Sequence, residues 1–394
     1  MKKVMLFIGL FFLPLAGCTP TDTIDDVINV ETNGQIDDQT NEQIPEEEQD
    51  FPDLIMDAEY SHTQLFVFGP VQITIYGIDC TEDEQGNYVD ERCHLVHEAF
   101  DRIDDMARRF TVNEVGGEVE RINEMAGIRA VEVNADTFDL ISQAVYYSIY
   151  SDAAFNVAIG PLSSLWNIAM PGVRRPTDEE INEVLPLLNP SYITLDADAQ
   201  TVFLEKEGMR LDLGGIAKGF MPDEIVAFFQ EEGINHALII VGGEVIALNG
   251  RPNGNSFTIG VRNPFFDDES PSDHHLAGTL PIYNEAMVTS GTYERYFAHQ
   301  ESLTFYHHLF DSHTGFPFDS NIVSLTVIAD TGLLGEVYTK VLFALEIADA
   351  LAYVESLDGI EALIISDDGG IYLSTGLQDR FDFWLPDVLD IRTP

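Results

Sequence analysis

Leu211-Asp-Leu-Gly-Gly-Ile-Ala-Lys-Gly-Phe220 is the stretch around which the chain is organised. Strand composition at Thr201–Leu204 and again at Met209–Leu213 runs into a double glycine, and a helical pattern follows over about Ala217–Glu231. Glycines at such a junction let backbone N–H groups approach an anion, and a helix N-terminus carries about half a positive charge. Lys218 adds a full charge on the first turn. Asp212, just before the turn, offers a carboxylate to ribose hydroxyls or an adenine amine. Together these residues suggest a site for a nucleotide diphosphate. The plainer reading is a tight strand-to-helix turn with an exposed Lys. Such turns are common, and the spacing fits neither the P-loop nor G-x-G-x-x-G.

The 394 residues allow either one large globular unit or several domains, and 45% hydrophobic content is enough for a real core. A net charge of −49 argues against a nucleic-acid partner. Only 12 of the 68 acids fall in 19–54, so most of the negative charge belongs to the folded part.

Residues 1–18 read as an export leader. Lys2 and Lys3 form its charged end, and Val4–Leu15 is an apolar run too short to span a bilayer. It closes on Leu15-Ala-Gly-Cys18, which is similar to the bacterial lipobox; Cys18 is then lipidated and the chain sits on the extracytoplasmic face of the cell membrane. An ordinary cleaved signal is the alternative. Residues 19–57 lack Lys and Arg and are poor in aromatic side chains, a composition expected to form a disordered acidic linker. The domain is expected over 58–394. Within it, Gln64–Gly77 has strand composition with an interruption at Gly69-Pro70. Cys80 and Cys93 are the two thiols besides Cys18, and in an exported chain they suggest one disulfide. Helical periodicity covers Leu95–Phe110 and Phe138–Tyr150, and Thr177-Asp-Glu-Glu180 is a capping box. Strands and helices mix without regular βαβ alternation, so the expected class is α+β, a single mixed α/β globular unit.

Four further stretches carry candidate chemistry. Val288–Phe297 puts Thr289 and Ser290 beside a glycine at a strand end. His307-His-Leu-Phe-Asp-Ser-His-Thr-Gly-Phe-Pro317 packs three imidazoles, Asp311 and a hydroxyl into one turn. Zinc is disfavoured there, because no Cys is near and no second cluster exists. Gly242-Gly243-Glu244 offers backbone donors and a carboxylate, or simply a bend. Glu336, Thr339 and Lys340 share roughly one helical face. Their oxygens suit Mg²⁺, and a solvated salt bridge is the alternative.

In this order the motifs resemble one family, the FAD:protein FMN transferases (ApbE-like lipoproteins). The likeness runs from about Gln64 to Ser374 through Asp212–Gly219, Gly242–Glu244, Thr289–Phe297 and His308–Pro317, with weaker matches at Arg121–Asn123, Phe155–Leu162 and Leu165-Trp166. The resemblance implies that FAD binds with Mg²⁺, that a Ser or Thr hydroxyl of an exported acceptor attacks the FMN phosphate, and that AMP leaves. Some relatives hydrolyse FAD instead, and a non-catalytic FAD-binding lipoprotein is a third reading. The family pattern implies FAD contacts at Phe68, Ala154, Phe155, Asn156, Asp212, Lys218, Gly242, Gly243, Glu244, Ser290, His308, Leu309 and Thr314. It implies metal ligands at Gly215 (main-chain carbonyl), Glu336 and Thr339, and His308, Asp311 and Lys340 are the catalytic candidates. The chain departs from the family's usual Ala-Asp-Ala-x-Ser-Thr metal segment, which reads Gly335-Glu-Val-Tyr-Thr-Lys340 here: Glu336 replaces Asp and Lys340 replaces Thr.

Overall fold

The computed structural model describes residues 58–112, 116–168, 170–267, 270–299 and 304–393. Cys18, the leader and the expected linker lie outside them. A nine-stranded sheet forms the centre. Its spatial order is Glu59–Phe66, Gly69–Tyr76, Ala237–Val241, Glu244–Leu248, Ala286–Gly291, Ile322–Ala329, Glu361–Ser366, Gly370–Leu373 and Asp390–Ile391. The pairs are antiparallel except the last, which is parallel. The α+β expectation matches this architecture.

Side chains alternate across the sheet, as the two-residue period of a strand requires. Val71, Ile73, Ile75, Ile239, Leu325, Val327 and Ile364 point to one face, where they form the larger core with Val96, Ile103, Phe220, Phe229 and Leu342 of the helices. Val245, Ala247, Met287, Leu363 and Ile365 point to the other face and meet Phe257, Val261 and Leu280. Those last residues belong to a small three-stranded sheet of Phe257–Arg262, Leu276–Ile282 and Asp382–Phe383. A third cluster surrounds Trp166, Ile181 and Leu188.

Local signals account for many element boundaries. The helix over His94–Phe110 buries Val96, Ala99, Phe100, Ile103, Met106 and Phe110, the apolar stripe that its periodicity predicts. The Thr177–Glu180 capping box is formed, with both reciprocal bonds in place, and opens the Asp178–Val184 helix. Cys80 and Cys93 are bridged, with a Cα–Cα separation of 5.6 Å.

Two expectations change. Met209–Leu213 is not a strand. Its backbone bonds go elsewhere: the Asn123 amide donates to the Leu211 carbonyl at 3.0 Å and accepts from the Leu211 N–H at 2.6 Å, and the Asp212 N–H donates to the Val157 carbonyl. A side-chain amide thus imitates a neighbouring strand. At the N-terminal hairpin, the turn is at 67–68, and Gly69-Pro70 opens the second strand instead of interrupting it. Proline fits there because it stands at the strand's start, ahead of the ladder to Ala237–Val241, which begins at Val71.

Candidate active site

Two helices bring the charged residues together, and a pair of glycines lets them do so. Ala217–Glu231 carries Lys218 at its start, and Gly332–Phe343 carries Glu336, Thr339 and Lys340. A Cβ on Gly219 would lie 2.2 Å from the Gly332 carbonyl oxygen, and one on Gly332 would lie 2.7 Å from that of Gly219. The helices therefore touch backbone to backbone, which no larger residue permits. Asp223 fixes their register. Its two carboxylate oxygens accept from the N–H groups of Gly332 and Leu333, each at 2.8 Å, satisfying orphan donors at the second helix's start. On the other side of that helix, Gly335 packs against Val288, where a Cβ would meet the Val288 side chain at 2.5 Å.

The Gly242-Gly243 turn joins this group. It links Ala237–Val241 to Glu244–Leu248 by two residues, both at positive φ (+58° and +107°), as a two-residue hairpin with a type I′ twist demands. A Cβ on Gly242 would lie 3.2 Å from the Phe68 carbonyl oxygen and 3.7 Å from the Lys218 side chain. Phe68, the glycine turn and Lys218 thus meet at one place. Phe155 packs on the Gly215 turn, its ring 3.6 Å from where a Gly215 Cβ would stand.

The charges form an alternating chain from Glu244 to Lys218 to Glu336 to Lys340. Lys218 bonds to the Glu244 carboxylate and stands 3.3 Å from Glu336 Oε1, while Lys340 bonds to Glu336 Oε2. Glu244 is 2% exposed and Glu336 is 1% exposed. Burial pushes the Glu336 carboxyl up, but the ammoniums of Lys218 and Lys340 outweigh it and hold the group below the usual carboxylate range. Glu244 Oε2 and Glu336 Oε1 are buried without a hydrogen-bond donor. Glu294 lies within electrostatic reach of Lys218, Lys340 and Glu336; desolvation raises its carboxyl, against the pull of the two ammoniums. The sequence reading included its stretch but not this residue.

The metal ligands implied by the resemblance do not form an open cation site. The Thr339 hydroxyl donates to the Glu336 carbonyl at 2.8 Å and accepts from Ser290 at 3.1 Å. The Glu336 carboxylate is held by Lys340 and flanked by Lys218, and the Lys340 side chain stands 3.7 Å from the Cβ position of Gly215. No three His, Cys, Asp or Glu side chains converge as a metal cage among the described residues. At about 4 Å and an effective dielectric constant near 20, two unit charges repel by roughly 4 kcal/mol, and a divalent ion meets about twice that from each ammonium. The unsatisfied Glu336 oxygen does call for a cation, and the Lys218 ammonium is the cation beside it.

Asp212 is oriented by two bonds. Its carboxylate accepts from Ser163 Oγ at 2.7 Å and from the Gly214 N–H at 3.0 Å, which fixes its orientation and leaves lone pairs unused. His308 is fixed by the Arg295 carbonyl, which lies 3.2 Å from Nδ1. A carbonyl only accepts, so Nδ1 carries the proton and Nε2 keeps its lone pair. Burial, then the positive charges of Arg295 and Lys340, push the His308 pKa down to about 4, against the pull of the Arg295 carbonyl. The imidazole is a neutral base across ordinary pH.

Several candidates also carry structural bonds. His307 uses both ring nitrogens, at the Phe318 carbonyl and the Leu309 N–H. Asp311 accepts from the His313 N–H at 2.8 Å and shapes the turn; no hydrogen bond joins it to His308 among the described residues. Asn156 donates to the Leu188 carbonyl and accepts from the Ala158 N–H, so its amide is committed. Ser290 is bonded to Thr339, and Thr314 accepts weakly from the Phe316 N–H at 3.4 Å. The Leu309 carbonyl accepts from the Phe318 N–H. Ala154 follows two residues at positive φ, Asp152 and Ala153, whose carbonyls accept from His313 and from Ser312. Non-glycine residues in that region are strained, so this turn exists because the His313 loop holds it. Beside the loop lies a cleft of about 540 Å³ lined by Tyr293, Tyr296, Tyr306, His307, Phe316 and Phe318. Such a lining suits a planar ring.

Residues 69–364 match the model of the ApbE family. Among curated relatives, the FAD:protein FMN transferase of Klebsiella pneumoniae (strain 342) is 34% identical over 322 residues, covering 82% of this chain and 94% of that protein. The protein of the same name from Treponema pallidum (strain Nichols) is 29% identical, covering 75% of this chain and 82% of its own length. Among solved structures, the ApbE protein of Thermotoga maritima superposes with a TM-score of 0.70 at 25% identity, covering 82% of this chain and 99% of that one. The flavin transferase ApbE of Vibrio cholerae superposes at 0.68 with 22% identity, covering 82% and 99%, a likeness of fold.

Proposed function

Because this chain belongs to the ApbE family, we propose that it is an FAD:protein FMN transferase, moving the FMN half of FAD to a Ser or Thr hydroxyl of an exported acceptor protein and releasing AMP. The observation that carries this reading is the meeting of Lys218, the Gly242-Gly243 turn and Lys340 around Glu336, within the span of the family match.

The chemistry follows from the groups present. The acceptor oxygen attacks the FMN phosphorus, a P–O ester forms, the pyrophosphate P–O bond breaks, and its electron pair leaves with AMP. The acceptor's proton passes to Nε2 of His308, neutral at working pH. The start of the Ala217–Glu231 helix, Lys218 and Lys340 oppose the charge on the departing phosphate. Asp212 takes a donor from the ribose or adenine. Magnesium is implied by the resemblance, but Gly215, Glu336 and Thr339 do not make room for it; in this reading the ammoniums meet the pyrophosphate.

Intact-mass analysis of the protein mixed with FAD and a candidate exported acceptor tests the reading. An acceptor that gains one FMN supports it. Free FMN and AMP without acceptor gain mean an FAD pyrophosphatase, and unchanged FAD means a binding protein.

We also propose, from the sequence, that Cys18 is lipidated and holds the chain on the extracytoplasmic face of the cell membrane, with 19–57 as a tether. Cys18→Ala should move the protein from the detergent phase to the aqueous phase on partitioning. An unchanged detergent fraction would overturn the anchor.

A further inference from the structure

We propose that Lys340 supplies, as a built-in ammonium, the cation that the resemblance assigns to magnesium, so that this chain binds FAD without a divalent metal. The inference rests on the functional reading above and concerns how that same site meets the pyrophosphate.

Four observations carry it. First, Lys340 stands one turn beyond Glu336 on the Gly332–Phe343 helix and bonds to that carboxylate, which is 1% exposed. Second, its side chain reaches the Gly214-Gly215 turn, 3.7 Å from the Cβ position of Gly215, the residue whose carbonyl the resemblance makes a metal ligand. Third, the hydroxyl that would complete the metal's ligand set, Thr339, is fully buried and turned away by its bonds to the Glu336 carbonyl and from Ser290. Fourth, Lys218 shares the same carboxylate, so a divalent ion would face two ammoniums at once.

The two departures from the family pattern then make sense as a pair. An ammonium is fixed to its own stem, so the carboxylate must reach it. Glu336 is one methylene longer than Asp and does reach it. An ammonium carries three donors and one positive charge, enough to bond phosphate oxygens as a point charge. It withdraws less charge from phosphorus than a divalent ion does.

The test is FAD binding by the full chain, followed by flavin fluorescence in excess EDTA and again in millimolar MgCl₂. The expected result is the same Kd in both buffers and no saturable heat when Mg²⁺ is titrated into the FAD complex. Lys340→Thr should weaken FAD by about tenfold or more in EDTA, a loss of roughly 1.4 kcal/mol, and recover it with Mg²⁺. The inference is overturned if the wild-type chain loses about tenfold in FAD affinity in EDTA and regains it with Mg²⁺, or if it shows saturable Mg²⁺ binding. It is also overturned if Lys340→Thr binds FAD as well as wild type in EDTA. FAD binding by neither protein in either buffer removes the functional reading itself, and this inference with it.

Discussion

His308 and Glu336 show how neighbours set the chemistry of a single side chain. Burial and the nearby charges of Arg295 and Lys340 hold the His308 pKa at about 4. The folded protein therefore binds the His308 proton later than the unfolded chain does as pH falls. Between about 6.5 and 4 the unfolded state holds more protons, so the stability tied to a neutral His308 is lost as pH drops through that window. For catalysis, the acid limb of kcat/KM assigned to His308 should fall near 4 and not near 6.5. His308→Gln should lower kcat by about 10²–10⁴-fold. A limb near 6.5 that disappears in the variant would contradict the environment described. Glu336 is the opposite case, a buried carboxylate kept ionised by two ammoniums. Glu336→Gln leaves both ammoniums without their shared partner, and breaking a buried ion pair from one side typically costs about 3–5 kcal/mol. Urea unfolding should show a loss of that order. A change within about 0.5 kcal/mol would mean that the ammoniums find other partners.

At the scale of elements, the contact between the Ala217–Glu231 and Gly332–Phe343 helices decides whether the site exists. Gly219 and Gly332 set how close the helices come, and Asp223 sets their register. Burial pushes the Asp223 carboxyl up to about 7, although two backbone N–H groups pull it back. The folded protein thus keeps the Asp223 proton at pH values where the unfolded chain has released it. Its contribution is fully present below the unfolded pKa and is lost as pH rises towards about 7. Asp223→Asn keeps one carbonyl oxygen for two amides, and an unmet buried donor costs about 1–3 kcal/mol. The variant should be less stable than wild type at pH 5, with a smaller deficit at pH 8. Urea titrations at the two pH values check this; a deficit that grows with pH would contradict the assigned environment.

At the scale of the whole molecule, the charge dominates. A net −49 over 394 residues repels itself, and the surface acids outnumber the bases that could pair with them. Repulsion between exposed charges is screened when the Debye length falls from about 10 Å at 0.1 M salt to about 3 Å at 1 M. The Tm should therefore rise over that range of NaCl, measured by calorimetry. A fall would mean that surface ion pairs such as Arg392 with Asp368 and Asp390 stabilise more than the like charges destabilise.

Local chemistry in the sequence determined much of the architecture. The periodic helix over His94–Phe110, the capping box at Thr177, the glycine pair at 242–243 and the helix starting at Ala217 act within a few residues of themselves. The family motifs and their order are likewise linear facts. What the tertiary structure decided is which groups are still available. Met209–Leu213 is not a strand because a side chain 88 positions away takes its backbone bonds. His307, Asn156, Ser290 and Asp311 carry suitable atoms, but each is bonded to a partner that their own motifs do not reveal. Glu244, Lys218, Glu336 and Lys340 come from one strand and two helices, and only the Gly219–Gly332 contact and the sheet order make them a single chain of charge. Hydrogen bonds and ion pairs act over a few ångströms of space, and spacing along the chain fixes that distance only within a turn or a hairpin.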